Sequence, residues 1–182
     1  MNFPKLASTA LVLVDVQEKL IGAMAEGPAI CERMKIMLQA AGLLKLDVIV
    51  TEQYPRGLGN TVTELSELTP EKTPVIEKTT FSCLEEPKFN KAIQRKPYKT
   101  LVLMGIEGHV CVLQTALDAL NKGFEVIILA DTVSSRRTEN CQLALAQLQQ
   151  AGAAVLPTES ILFMLMRDAK HPAFREISKL IR

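Results

Sequence analysis

The chain has 182 residues, 48 % of them hydrophobic and 23 % charged, and a formal net charge of +1. This length suits a single domain, residues 1–182, with a core of its own. The scattered, nearly balanced charge gives no basic surface for nucleic acid, and no apolar run approaches the ~20 residues of a membrane span. The N-terminus lacks signal-peptide features and the four cysteines follow no disulfide or zinc spacing, which predicts a reducing cytoplasm.

Short runs rich in Val, Ile and Leu recur along the chain and predict β-strands. Each run is nearly continuous rather than alternating, as expected for strands that are buried on both faces. The predicted strands, in chain order, are residues 10–15, 47–52, 73–78, 100–105, 125–131 and 153–159.

Stretches with helical spacing of apolar residues lie between most of these strands. Segment 55–72 instead predicts a loop with at most one helical turn. Strands that alternate with helices predict a doubly wound α/β domain, with a parallel sheet and helices on both faces. The predicted helices cover residues 31–44, 110–123, 137–152, 159–169 and 171–181.

Reactive side chains follow three of the predicted strands. Asp15 ends the first strand, Lys78 ends the third, and Cys111 follows the fourth at the start of a helix. In open α/β sheets, ligands bind outside the carboxyl ends of the strands. A carboxylate, an amine and a thiol could therefore meet at one edge of the sheet.

Cys111 is either a nucleophile or a buried core residue, and its spacing alone leaves both open. The unpaired N–H groups of a helix start and a nearby Lys78 would lower the pKa of the thiol and favour the reactive thiolate. Free cysteines are, however, among the most buried residues. Core packing is favoured for Cys31 and Cys141, whereas Cys83 lies near the end of the third strand and could contact the pocket.

Two candidates could act as the base. Asp15 could take the thiol proton with Lys78 keeping it ionised, or it could satisfy backbone N–H groups in the turn after the first strand. His109 lies two residues before Cys111, and residues at that spacing do not face each other on a helix, so a structural role is favoured for His109. His171 is predicted to lie at the surface.

The motifs LVLVDVQEKL, VIEKTTFS and GIEGHVCVLQT, in this order, resemble the isochorismatase-like cysteine hydrolases, in particular their small single-domain branch. The resemblance implies a three-layer α/β/α fold with a six-stranded, mostly parallel sheet. It also implies a catalytic triad of Asp15, Lys78 and Cys111. The oxyanion would be held by the backbone N–H groups of Cys111 and Glu107, with a cis peptide bond before Glu107 and with Gly108 lining the site.

Some members of this family carry a metal site built on an Asp-x-His motif after the second strand. This sequence has Glu52, Gln53 and Tyr54 there and no histidine, which predicts no metal and argues against nicotinamidase activity. The candidate substrate-pocket residues, each of which could equally serve in packing, are Leu20, Tyr54, Leu58 and Phe81.

The sequence as a whole predicts a cysteine-dependent hydrolase of a small amide or related C–N bond, without a cofactor. The alternative is a catalytically silent or redox-sensing member that acts in assembly or regulation. A dinucleotide-dependent dehydrogenase is disfavoured because no GxGxxG follows the first strand. The expected partners are a small-molecule substrate and further copies of the same chain, with no nucleic acid and no membrane.

Overall fold

The computed structural model describes residues 3–182, and its strands form one six-stranded sheet in the order β3-β2-β1-β4-β5-β6. All neighbouring strands in this sheet run parallel. The doubly wound α/β/α fold predicted from the sequence is therefore confirmed, with a sheet that is parallel throughout. The strands are β1 (Thr9–Val14), β2 (Asp47–Gln53), β3 (Val75–Lys78), β4 (Thr100–Ile106), β5 (Glu125–Ser134) and β6 (Ala154–Leu156).

Helices connect the strands, and all five predicted helices are present with altered bounds. The helices are α1 (Glu18–Ile21), α2 (Gly27–Leu44), α3 (Pro55–Leu58), α4 (Thr63–Ser66), α5 (Pro87–Ile93), α6 (Leu113–Asn121), α7 (Thr138–Gln150), α8 (Thr158–Met166) and α9 (Phe174–Leu180). Short 3₁₀ turns cover Leu6–Ser8 and Cys83–Glu85, and a π-helical turn covers Gly108–Val112.

Two helical segments differ from the sequence prediction. Segment 55–72 contains two helical turns, α3 and α4, where at most one was expected. Pro55 begins α3, where its fixed φ and missing N–H suit a first helical turn. The helix α5 was not predicted; Pro87 begins it, and the carboxylate of Glu86 accepts a hydrogen bond from the backbone N–H of Lys88.

Both faces of the sheet are covered by packed helices. Leu11 and Leu13 of β1 face the apolar cluster that includes side chains of α2, α8 and α9. Val12 and Val14 face the opposite cluster, which includes side chains of α5, α6 and α7. Because successive side chains of a strand point to opposite faces, burial on both sides requires the continuous apolar runs seen in the sequence.

The chain order reverses between β1 and β4, which are neighbours at the centre of the sheet. Loops that leave the two strands in opposite directions open a crevice at such a switch point. The prediction that residues 1–182 form one domain stays a prediction, and residues 1 and 2 lie outside the described part. Within residues 3–182, no helix has the length and apolar character needed to cross a membrane.

Candidate active site

Asp15 and Lys78 form an ion pair at the carboxyl edge of the sheet. Asp15 directly follows β1, Lys78 is the last residue of β3, and Lys78 Nζ lies 2.6 Å from Asp15 Oδ2. Both side chains are buried. Burial disfavours the charged amine, but the interactions that favour it, of which the negative charge of Asp15 is the largest, outweigh burial, so that the pKa of Lys78 lies above its usual value. Lys78 therefore stays positively charged.

The Lys78 ammonium is held by further oxygen atoms besides the carboxylate. Gln53 Oε1 accepts a hydrogen bond from it at 2.6 Å, and the carbonyl oxygen atoms of Thr80 and Phe81 accept at 3.0 and 3.2 Å. Gln53 is fixed in turn by Gln17, since the backbone N–H of Gln53 donates to Gln17 Oε1 at 2.7 Å and Gln17 Nε2 donates to Gln53 O at 3.0 Å. The amine is thus locked in one place.

The other oxygen of Asp15 is bound by Thr51 of β2. Thr51 Oγ1 donates to Asp15 Oδ1 at 2.7 Å, and the Thr51 side chain is fully buried. Cys83 Sγ in turn donates to Thr51 Oγ1 at 3.7 Å. Neither Thr51 nor Gln17 is predicted as a site residue from the sequence. For Thr51, the one indication is its position near the end of a strand that pairs with β1.

Cys111 lies in the π-helical turn between β4 and α6, beside the ion pair. Burial raises the pKa of its thiol to about 12, the charge of Asp15 adds to the rise, and Lys78 opposes it. The prediction of a lowered thiol pKa is therefore wrong for the free site. Desolvation of a thiolate and its repulsion from a carboxylate outweigh the attraction to one amine.

The turn that carries Cys111 is tightly held. The Ile106–Glu107 peptide bond is cis, as the family resemblance implies. The backbone N–H groups of Val110 and Val112 donate to Glu107 O at 3.0 and 3.2 Å. The Glu107 carboxylate accepts from Nε of Arg136 at 3.0 Å, which joins this turn to the residues that follow β5.

Gly108 and His109 pack against the end of β5, the residue that follows it and the first turn of α7. A Cβ atom on Gly108 would lie 2.8 Å from Val133 Cγ1 and 3.0 Å from Cys141 Sγ, so any side chain here would force these neighbours to shift. His109 Nδ1 lies 2.9 Å from Ser135 Oγ, which gives the imidazole a structural partner. The structure thus supports the structural interpretation of His109.

The four candidate pocket residues fall into two groups. Tyr54 and Phe81 are both more than half exposed and flank Lys78: the backbone N–H of Tyr54 donates to Lys78 O at 2.8 Å, and Phe81 O accepts from Lys78 Nζ. Leu20 is partly buried and packs against the core on the α2 side. Leu58 is partly buried at the end of α3. Their contact with substrate stays a prediction.

The end of β2, where the family resemblance would place a metal site, is occupied by internal hydrogen bonds. Glu52 Oε1 accepts from the backbone N–H and the hydroxyl of Thr61 at 2.6 and 2.8 Å. Across residues 3–182, no three His, Cys, Asp or Glu side chains come together as a possible metal site. That the protein binds no metal stays a prediction.

The fold and the sequence can be compared with known proteins. The isochorismatase domain family matches residues 9–160. Isochorismatase domain-containing protein 2 of Xenopus laevis is 42 % identical over 175 residues, covering 96 % of this chain and 83 % of that protein. A secreted isochorismatase effector of Phytophthora sojae is 41 % identical over 179 residues, covering 96 % and 85 %.

A solved structure of the MAR1 ribonuclease from Caenorhabditis elegans superposes with a TM-score of 0.92 at 38 % sequence identity. The superposition covers 97 % of this chain and 91 % of that one. Sequence and structure thus agree over nearly the whole chain, and this protein belongs to the isochorismatase family and has its hydrolase fold.

Proposed function

We propose that this protein is a cysteine-dependent hydrolase that cleaves a small amide or related C–N bond through an acyl-cysteine intermediate. The observation that carries the proposal is the buried Asp15–Lys78 ion pair beside the Cys111 thiol, at the point where the chain order of the sheet reverses. A nucleophile, a base and a fixed positive charge are the groups that acyl transfer requires.

The first half of the reaction forms the acyl-enzyme. The Cys111 thiol is neutral in the free site, so its proton must leave as Sγ attacks the carbonyl carbon of the substrate. Asp15 takes this proton, while Lys78 stabilises the carboxylate until then. The backbone N–H groups of Glu107 and Cys111 bind the oxyanion of the tetrahedral intermediate. The C–N bond then breaks, and the amine leaves with the proton from Asp15.

The second half returns the enzyme to its starting state. Asp15 takes a proton from a water molecule, and the resulting hydroxide attacks the thioester carbonyl. The C–S bond breaks, the acid product leaves, and the Cys111 sulfur recovers its proton from Asp15. Atoms and charges balance over the cycle with water as the only co-reactant.

The exposed rings of Tyr54 and Phe81 next to Lys78 support a small substrate with an apolar part, with Leu20 and Leu58 as further candidate contacts. The raised pKa of Cys111 argues against the redox-sensing alternative, because thiol oxidation follows thiolate character and exposure. The name of the Caenorhabditis elegans relative makes RNA a substrate to be tested. A homo-oligomer and a cytoplasmic location stay predictions.

The test is a turnover screen over amides and ureides, with single-stranded RNA as a separate arm. We expect Cys111→Ala to lower turnover by about 10³-fold or more and Asp15→Asn by about 10²- to 10⁴-fold. Cys31→Ala, at another buried cysteine on the α2 side, is the matched control and should keep turnover. Mass spectrometry should show an acyl adduct on Cys111. Full turnover by Cys111→Ala would overturn the mechanism.

A further inference from the structure

Two thiols, not one, neighbour the Asp15–Lys78 ion pair. Cys83 lies in the 3₁₀ turn after β3 and is fully buried. Its pKa is raised to about 11 by burial and by the charge of Asp15, against the attraction of Lys78. The chemistry proposed above uses only Cys111. The mechanism therefore requires a structural feature that distinguishes the two thiols, so that Cys111 and not Cys83 transfers its proton to Asp15.

Hydrogen-bond directions at Thr51 give the answer for Cys83. An ionised carboxylate can only accept hydrogen bonds, so the single hydroxyl hydrogen of Thr51 must point to Asp15 Oδ1. The Thr51 oxygen then has only lone pairs to offer to Cys83, whose S–H is the donor. The hydrogen bonds therefore run from the Cys83 thiol to the Thr51 hydroxyl to the Asp15 carboxylate. The Thr115 side chain is a second partner of the Cys83 thiol.

Both oxygens of Asp15 are held by this arrangement. Oδ1 receives the Thr51 hydroxyl and Oδ2 receives the Lys78 ammonium, which fixes the rotation of the carboxyl group. The other groups with a charge or proton to exchange near Asp15 are the thiols of Cys83 and Cys111. With the Cys83 proton engaged elsewhere, the Cys111 thiol is the one left to react with the base.

We propose that Thr51 is a positioning residue that sorts the two thiols: it keeps Cys83 as a protonated donor and orients Asp15 to take its proton from Cys111. The proposal rests on the proposed roles of Asp15 as base and Cys111 as nucleophile. It adds a reason why a buried threonine follows the apolar residues of β2, where a valine would otherwise fit.

The test measures alkylation of Cys111 by iodoacetamide in the full chain, followed by peptide mass spectrometry across pH 5–9. Thr51→Val keeps the shape of the side chain but removes the hydroxyl. We expect it to slow alkylation of Cys111 by about tenfold. We also expect the pH dependence of Cys111 alkylation to change, because the Asp15 carboxylate loses the hydroxyl donor that orients it. Thr51→Ser should restore both.

A double-variant cycle separates sorting from a general loss of structure. If Cys83 competes for Asp15 once the hydroxyl is gone, Thr51→Val combined with Cys83→Ala should alkylate at Cys111 several-fold faster than Thr51→Val alone. Cys83→Ala alone completes the cycle. Thr132→Val is the matched control, since Thr132 is equally buried and its hydroxyl donates only to Leu129 O; its profile should match the wild type.

Three results would overturn the proposal: a wild-type alkylation profile in Thr51→Val, the same loss in Thr132→Val, or no gain in the double variant. Should Thr51→Val fail to fold, Thr51→Ala enters the same cycle. The assay involves no hydrolysis, so its outcome is independent of turnover. Retained turnover in Cys111→Ala would refute the proposed role of Cys111 as nucleophile, whereas an unchanged alkylation profile in Thr51→Val would refute only the sorting of thiols.

Discussion

Lys78 Nζ lies 2.6 Å from Asp15 Oδ2, and the two side chains expose 0 % and 1 % of their surface. The residues are 63 positions apart, at the ends of β3 and β1. A buried ion pair contributes little net stability, but removing one partner leaves the other charge desolvated and unpaired. The pair therefore ties the stability of the chain to the residues proposed for catalysis.

The first prediction concerns the loss of one partner of this pair. Lys78→Met should lower the free energy of unfolding by about 3–5 kcal/mol, because it leaves the Asp15 carboxylate buried without its counter-charge. Lys96→Met is the control: it breaks the Lys96–Asp47 pair, whose side chains are 54 % and 33 % exposed, and should cost less than about 1 kcal/mol. Urea denaturation of both variants measures the difference. Equal losses would contradict a buried pair.

The second prediction is a fall in stability at alkaline pH. The pKa of Cys111 is about 12 in the folded chain, whereas an unfolded thiol titrates near about 8.5. The folded chain thus holds this proton more tightly. Its contribution to stability is complete below about pH 8.5 and decreases as the pH rises towards 12.

Cys111→Ser isolates the contribution of the Cys111 thiol to this pH dependence. Serine does not titrate in this pH range, and every other titratable group of the chain is unchanged. Between pH 8.5 and 10.5, the free energy of unfolding of the wild type should fall more steeply than that of Cys111→Ser, by up to about 1.4 kcal/mol per pH unit. Urea denaturation at a series of pH values gives both slopes. Parallel curves would show that the thiol is not buried as described.

The arrangement of the proposed triad is predictable from sequence, because it depends on where the strands end. Asp15 and Cys111 follow β1 and β4, and Lys78 ends β3; the carboxyl ends of parallel strands must share one edge of the sheet. The apolar runs that precede Asp15 and Cys111 are long enough to reveal β1 and β4, whereas β3 offers only Val75 and Ile76 before Glu77.

The roles of Thr51 and Gln53 are not predictable in the same way. Thr51 reaches Asp15 because β1 and β2 pair in a register that sets Val14 beside Thr51. Gln53 reaches Lys78 because the two residues pair across β2 and β3. A single sequence predicts that strands exist but not which residues pair, since a shift of register keeps the same apolar pattern along each strand.

The thiol pKa was predicted in the wrong direction for a related reason. The sequence places a helix start and a lysine near Cys111, and both attract a thiolate. Desolvation depends on how completely the π-helical turn and the strands enclose the sulfur, which becomes known only from the packed structure. The sequence thus indicates the charges near Cys111 but not the burial of its sulfur, which has the larger effect on the thiol pKa.

The third prediction concerns the contact between β4 and β1 that brings the two halves of the site together. Gly105 has φ +126°, and a Cβ atom there would overlap the carbonyl oxygen of Val14. Gly105→Ala should therefore lower the free energy of unfolding by about 3 kcal/mol or more, through a strained backbone and a steric overlap between strands.

Substitutions at two other glycines distinguish backbone strain from steric overlap. Gly123 has φ +84° with open space around it, so Gly123→Ala should cost only the strain of about 1–2 kcal/mol. Gly22 has open space and φ −66°, so Gly22→Ala should change stability by less than about 1 kcal/mol. Urea denaturation should rank the losses Gly105, Gly123, Gly22. A loss at Gly105 no larger than at Gly123 would mean that β4 can move away from Val14, and the close approach of the two strands would not be what holds Cys111 beside Asp15.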